Sequence, residues 1–123
     1  MVWFSPADQN NGWFQLVGRD LWFIKTKNTG SQQVEVHNAT ASSGYRGSSV
    51  HAVTWIGSAD ANNGWFQMSG NDMVFVKTTN PGSGKVEVHD ASAASGYRSA
   101  TVHAPSWFSP NDRSNGWFQV GAK

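Results

Sequence analysis

Residues 12–26 read Gly12-Trp13-Phe14-Gln15-Leu16-Val17-Gly18-Arg19-Asp20-Leu21-Trp22-Phe23-Ile24-Lys25-Thr26. Two runs rich in aromatic and branched side chains flank a Gly-Arg-Asp turn. Such runs, bounded by turn residues, have the length and composition of β-strands. A short turn between them makes an antiparallel hairpin. No sustained i, i+3, i+4, i+7 stripe occurs here or elsewhere, so almost no helix is expected.

The same text returns 52 residues later as Gly64-Trp65-Phe66-Gln67-Met68-Ser69-Gly70-Asn71-Asp72, followed by Met73 to Thr78. Residues 3–54 and 55–106 agree at 30 of 52 positions without gaps. Trp3, Trp55 and Trp107 mark the period, and Asn-Gly-Trp-Phe-Gln occurs three times, with its glycine at Gly12, Gly64 and Gly116. The organisation is two full units, 3–54 and 55–106, and a partial third, 107–123, that holds only a first strand.

Working outward from the hairpin, Asn28-Thr29-Gly30-Ser31 turns the chain, and its copy Asn80-Pro81-Gly82-Ser83 carries the stronger Pro-Gly signal. Val34-Glu35-Val36-His37 alternates as a third strand. Ala41 to Gly44 form a small-residue loop. The stretch from Tyr45 to Trp55 gives a fourth, weaker strand through Val50-His51-Ala52-Val53, and Gly57 to Asn63 a polar loop into the next unit. Four short antiparallel strands per repeat of this length is the pattern of a β-propeller blade. The expected fold is therefore all-β, with propeller-type four-stranded blades in tandem. Two blades do not close a ring, so other copies of the chain are expected to complete it, three chains being preferred. The 107–120 element then competes with residues 3–16 of the next chain for one slot.

The strings 23–31 and 34–37, with their copies 75–83 and 86–89, resemble repeats of FG-GAP/VCBS-type propellers. More distantly the layout is similar to small propeller lectins whose two-blade chains trimerise. The resemblance covers both full units and is most specific in the second and third strands. It implies a propeller and often a glycan-binding surface. The family's acidic calcium loop is not matched. The nearest strings, Asp8-Gln9-Asn10-Asn11-Gly12 and Asp60-Ala61-Asn62-Asn63-Gly64, offer too few oxygen ligands at alternate positions, and Asp112-Arg113-Ser114-Asn115-Gly116 adds a cation. They read as polar turns.

Composition narrows the function. Nine Lys and Arg against eight Asp and Glu give a net charge of +1 over 123 residues. That argues against nucleic-acid binding and against a polybasic membrane anchor. Without Cys there are no disulfides, no thiolate chemistry and no zinc-finger sites. No apolar run approaches the roughly 18 residues of a membrane span, so membrane insertion is not expected. The first residues show no signal-peptide features, and localisation stays open. No cofactor or metal is expected. His37 with His51, and His89 with His103, would face each other if the third and fourth strands pair. Glu35 or Glu87 stands nearby, but nothing forces a third metal ligand into place. Enzymatic constellations are poor: Glu35 and Glu87 could serve as paired carboxylates only across a blade boundary, and there is no G-x-S-x-G elbow and no phosphate loop. Nearly every polar candidate is duplicated, which suits binding by avidity better than catalysis.

Six of the seven Trp obey the repeat; Trp22, matched by Val74, does not and reads as packing. One Trp set is expected in the core. The other, Trp13, Trp65 and Trp117, is the candidate platform for stacking a sugar's C–H face. Asn10, Asn11, Asn62, Asn63 and Asn115 adjoin it, and Gln15 and Gln67 share its strand face. Tyr45-Arg46 and Tyr97-Arg98 form a second repeated aromatic–polar pair. The expected function is a multivalent carbohydrate-binding protein, with glycans and further copies of itself as partners. The alternatives are a protein–protein interaction or adhesion scaffold, and a truncated or engineered self-assembling fragment without retained activity.

Overall fold

The computed structural model describes residues 4–116 and 118–119. It is all-β, with eight strands in two four-stranded antiparallel sheets and no α-helix among the described residues. The first sheet runs in chain order through β1 (Gly12–Val17), β2 (Asp20–Lys25), β3 (Gln33–Ala39) and β4 (His51–Gly57). The second runs through β5 (Gly64–Ser69), β6 (Asp72–Lys77), β7 (Glu87–Ala91) and β8 (His103–Pro105). Two compact units divide between Ala61 and Asn62.

In unit 1 the registers place Phe14, Phe23, His37 and His51 in one row across all four strands. The next row, Trp13, Ile24, Val36 and Ala52, faces the other way because side chains alternate. Phe23, Ile24, Val34, Val36 and Ile56 are buried, as is the unrepeated Trp22. Unit 2 repeats the registers, with Phe66, Phe75, His89 and His103 in one row. Its buried members include Met73, Phe75, Val76 and Val86.

The first strand falls where its composition puts it, over Gly12–Val17. The fourth overlaps its expected place and runs on past Trp55: it starts at His51 and ends at Gly57. Trp55 to Gly57, which the repeat phase assigns to the second segment, thus close the first sheet. A register shift between Gln33 and Glu35 lets Gln33 stand opposite Gly57. Thr54 secures the shift by donating its hydroxyl to the Val34 carbonyl at 2.7 Å.

Side-chain latches hold the turns. Asp20 accepts from the Ala41 amide at 2.9 Å, and Asp72 from that of Ala93 at 2.8 Å. Buried Asn38 accepts from the amides of Ser49 and Val50 and donates to the Ser49 hydroxyl. In unit 2 the equivalent residue is Asp90, which accepts from the Thr101 and Val102 amides and from the Thr101 hydroxyl. The hydroxyl accepts in one unit and donates in the other, as the change from amide to carboxylate demands.

Gly12 and Gly64 open the first strands for a steric reason. A Cβ at Gly64 would lie 1.9 Å from the Val76 carbonyl oxygen, and one at Gly12 equally close to that of Ile24.

Candidate functional site

A part-polar concavity of unit 1 lies on the face of the Phe14–Phe23–His37–His51 row. It is a cleft of about 210 Å³ whose lining includes Phe4, Phe23, Asp8, Lys25 and Glu35. Pockets that engulf drug-sized ligands run to roughly 300–1,000 Å³, so the occupant suited to this one is small.

Phe23, His37 and His51 of the cleft's lining belong to a ladder of rings that extends beyond it to Phe14. Phe14 stacks on Phe23 with centroids 4.4 Å apart, Phe23 lies 6.0 Å from His37, and His37 meets His51 edge-on at 4.1 Å. The antiparallel register makes these rings direct cross-strand neighbours. Phe4 closes one side, edge-on to Phe23 at 5.4 Å. It is carried by the segment before β1, whose 3-10 turn Pro6–Asn10 starts from Ser5 with the serine hydroxyl capping the Ala7 amide. The same turn supplies Asp8, 3.8 Å from the Lys25 ammonium.

Glu35 lies two residue pairs along the sheet from His37, on the same face and opposite Lys25. It accepts from the Ser31 hydroxyl at 2.6 Å and lies 3.0 Å from His37 Nε2. A carboxylate can only accept, so the proton of the neutral imidazole sits on Nε2. Burial pushes Glu35 upward, but the hydrogen bonds from Ser31 and His37 outweigh it and hold the carboxyl below its ordinary value. Burial, reinforced by His51, holds His37 below its ordinary value against the pull of Glu35. The site therefore presents a charged carboxylate beside a neutral histidine. Unit 2 builds the same ladder: Phe66–Phe75 at 4.3 Å, Phe75–His89 at 5.9 Å and His89–His103 at 4.2 Å. Glu87 lies 2.9 Å from His89 and accepts from Ser83.

The histidine pairs thus meet as the hairpin reading requires, although the hydrogen bond of His37 runs along its own strand to Glu35. Among the described residues, no group of three or more His, Asp or Glu side chains is placed to hold a metal ion. No helix among them is long and apolar enough to cross a membrane.

The residues singled out by sequence are distributed differently. Trp13 and Gln15 lie on the face of β1 opposite the cleft, Trp13 being 44% exposed. In unit 2, Trp65 and Gln67 share the matching face, and Trp65 lies 5.7 Å from Phe118. Trp117 lies outside the described residues. Asn10 and Asn62 are exposed. Asn11 is engaged in the fold: it donates to Asp8, accepts from the Asn28 amide, and its carbonyl takes the amides of Thr26 and Lys27. Asn63 repeats the last two roles with Asn80, Thr78 and Thr79, and Asn115 bonds Asp112.

Tyr45 and Tyr97 are also latches. Each takes the left-handed conformation, φ 67°, after a left-handed glycine. Each phenol donates to a carbonyl of the first hairpin turn, Tyr45 to Arg19 at 2.7 Å and Tyr97 to Asn71 at 2.6 Å. Burial, with Asp72 nearby, pushes the Tyr97 phenol up to about 12. The adjacent Arg46 and Arg98 are exposed.

Of the cleft's lining, the sequence brought His37, His51 and Glu35 together through strand pairing, but only as a metal arrangement, set aside for want of a third ligand, and not as a binding site. It missed Phe4, Asp8 and Lys25, which arrive by a fold-back of the segment before β1. The available signal was Ser5-Pro6 followed by Asp8, a capped first turn. No protein-family model, no curated protein and no solved structure matches the chain.

Proposed function

We propose that the chain is a multivalent carbohydrate-binding protein built from propeller-type blades, similar to FG-GAP/VCBS repeats, that works as a homo-oligomer. The unit 1 cleft carries this reading. Phe4 and Phe23 offer apolar ring surface for the C–H face of a sugar. Asp8 and Glu35 accept from hydroxyls, and Lys25 donates. A small apolar surface with a few placed polar groups is the general form of a small-molecule site. The recurrence of the Glu87–His89–His103 arrangement in unit 2 supports multivalency. Binding without turnover is the reading here, since the polar set comes in duplicate.

A panel of monosaccharides titrated against the full chain, with Glu35→Gln and Trp13→Ala in parallel, tests it. Loss of at least about tenfold in affinity for Glu35→Gln, with Trp13→Ala unchanged, is expected, since hydrogen bonds to a charged group contribute about 1.5–3 kcal/mol. The reverse pattern would move the site to the tryptophan face, and no binding to any glycan would overturn the proposal. A scaffold role is favoured by one observation, the apolar Phe14 and Leu16 presented outward from β1. Capture of a protein partner that survives excess free sugar would identify it.

A further inference from the structure

The charges that line the unit 1 cleft are unevenly matched. Two carboxylates, Asp8 and Glu35, stand against one ammonium, Lys25. Lys25 lies 3.8 Å from Asp8 Oδ1, so that pair holds opposite charges together. The carboxylate of Glu35 is held by other groups. The Ser31 hydroxyl donates to its Oε2 at 2.6 Å, and His37 Nε2 lies 3.0 Å from its Oε1. Both of these partners are neutral, His37 because burial, reinforced by His51, keeps it below its ordinary value. Glu35 is therefore oriented by hydrogen bonds that leave its negative charge in place. A carboxylate offers about four acceptor positions, so room remains for a further donor. The Glu35 side chain is 14% exposed and that of Asp8 26%, so both are largely shielded from bulk water. Phe4 and Phe23 supply apolar wall beside them. A partly buried charge pair is screened far less than one on open surface.

We propose that the unit 1 cleft selects a sugar that carries a protonated amine, a hexosamine with its amino group free, over the neutral hexose of the same shape and over a sugar acid. This rests on the carbohydrate reading above and names the class of sugar. The ammonium donates to the open acceptor positions of Glu35 and supplies the positive charge that its neutral partners lack. The hydroxyls meet Asp8 and Lys25, and the ring C–H groups lie against Phe4. A neutral hexose gains only ordinary hydrogen bonds from the same carboxylate, and a sugar acid brings a third negative charge to the two already there. Acetylation of the amine removes its charge and adds bulk, so the acetylated sugar loses the preference. The cleft, at about 210 Å³, holds one small ring and not a longer chain. The neutral state of His37 belongs to the same design, because a cationic ring at that place would compete with the ligand for Glu35.

Calorimetric titration of the full chain at about pH 7, where such an amine is mostly protonated, tests this. The probes are glucosamine, glucose, N-acetylglucosamine and glucuronic acid, with ethanolamine as an amine without a ring. Glucosamine is expected to bind at least about tenfold more tightly than any of the others, since charge-assisted hydrogen bonds are roughly twice as strong as neutral ones. Glu35→Gln keeps the shape of the side chain and an acceptor for His37. It is expected to bring glucosamine and glucose within about threefold of each other. If Glu35→Gln does not fold, added salt on the parent chain decides. Weakening of glucosamine with glucose unchanged supports the proposal, and equal response of the two overturns it. Equal affinity for glucosamine and glucose in the parent overturns the selection for an amine and leaves the carbohydrate reading standing, as does tighter binding of glucuronic acid. A preference that survives in Glu35→Gln overturns the assignment to this cleft. Ethanolamine as tight as glucosamine, with glucose unbound, overturns the sugar and with it the carbohydrate reading. Absence of binding by every probe overturns both.

Discussion

Single residues decide where this backbone can bend and touch. The strongest case is the glycine that opens each first strand, where the absent Cβ leaves room for a neighbouring carbonyl. Gly64→Ala is expected to lower stability by about 3 kcal/mol, the upper end of over-packing costs. Its matched control is Gly82→Ala, since a Cβ there meets nothing within 4 Å. Urea unfolding of the two variants checks this, and equal midpoints would contradict it. The tyrosine latches show the opposite relation between sequence and structure. Tyr45 beside Arg46 reads as a recognition pair, yet its hydroxyl is bound 26 residues away and its backbone is left-handed. Neither fact leaves a local mark, because an aromatic next to a cation looks the same whether it serves a ligand or a turn.

At the level of strands and sheets, most of the fold was legible. Turn residues at Gly18 and Gly30 and their copies at Gly70 and Gly82 punctuate runs whose composition suits strands, and β1 falls where it was expected. The fourth strand was the weakest signal because its pairing depends on a register shift opposite Gln33, which no periodicity encodes. The histidine pairs were legible through hairpin geometry, and the cleft as a whole was not, since Phe4 and Asp8 reach it by tertiary fold-back. The ladder also makes acid stability testable. Burial lowers the pKa of both His37 and His89 in the folded chain, relative to an ordinary value of 6.5. The unfolded chain therefore takes up these protons first as pH falls. The stability they contribute is present above about pH 6.5 and is lost as pH drops below it toward the folded values. Glu35 and Glu87, also lowered, extend the loss below their ordinary value of 4.5. Urea midpoints should fall between about pH 8 and pH 5, and a His37→Asn, His89→Asn double variant should flatten the slope. A parent slope of zero or of opposite sign would show that the rings are not held neutral.

For the whole chain, the expected observable is the gap between single-site and multivalent binding. Shallow clefts of this volume give weak affinity one at a time, and an assembly that displays several gains about 10²- to 10⁴-fold against a surface. The dissociation constant for a free monosaccharide, compared with that for the same sugar immobilised at high density, measures this. Equal values at concentrations where the chain is assembled would contradict multivalency.

The latches have a further consequence for how such a chain comes to exist. Asp20 reaches 21 residues to Ala41, Asn38 reaches 11 to Ser49, and Tyr45 reaches 26 to Arg19. Every one of these spans is shorter than the 52-residue period and closes inside a single unit, and unit 2 repeats them at the same separations. A recombination crossover that copies or deletes one whole period in the gene severs none of them. Each duplicate arrives with its fasteners already matched, so lengthening or shortening the array needs no simultaneous change at a distant codon.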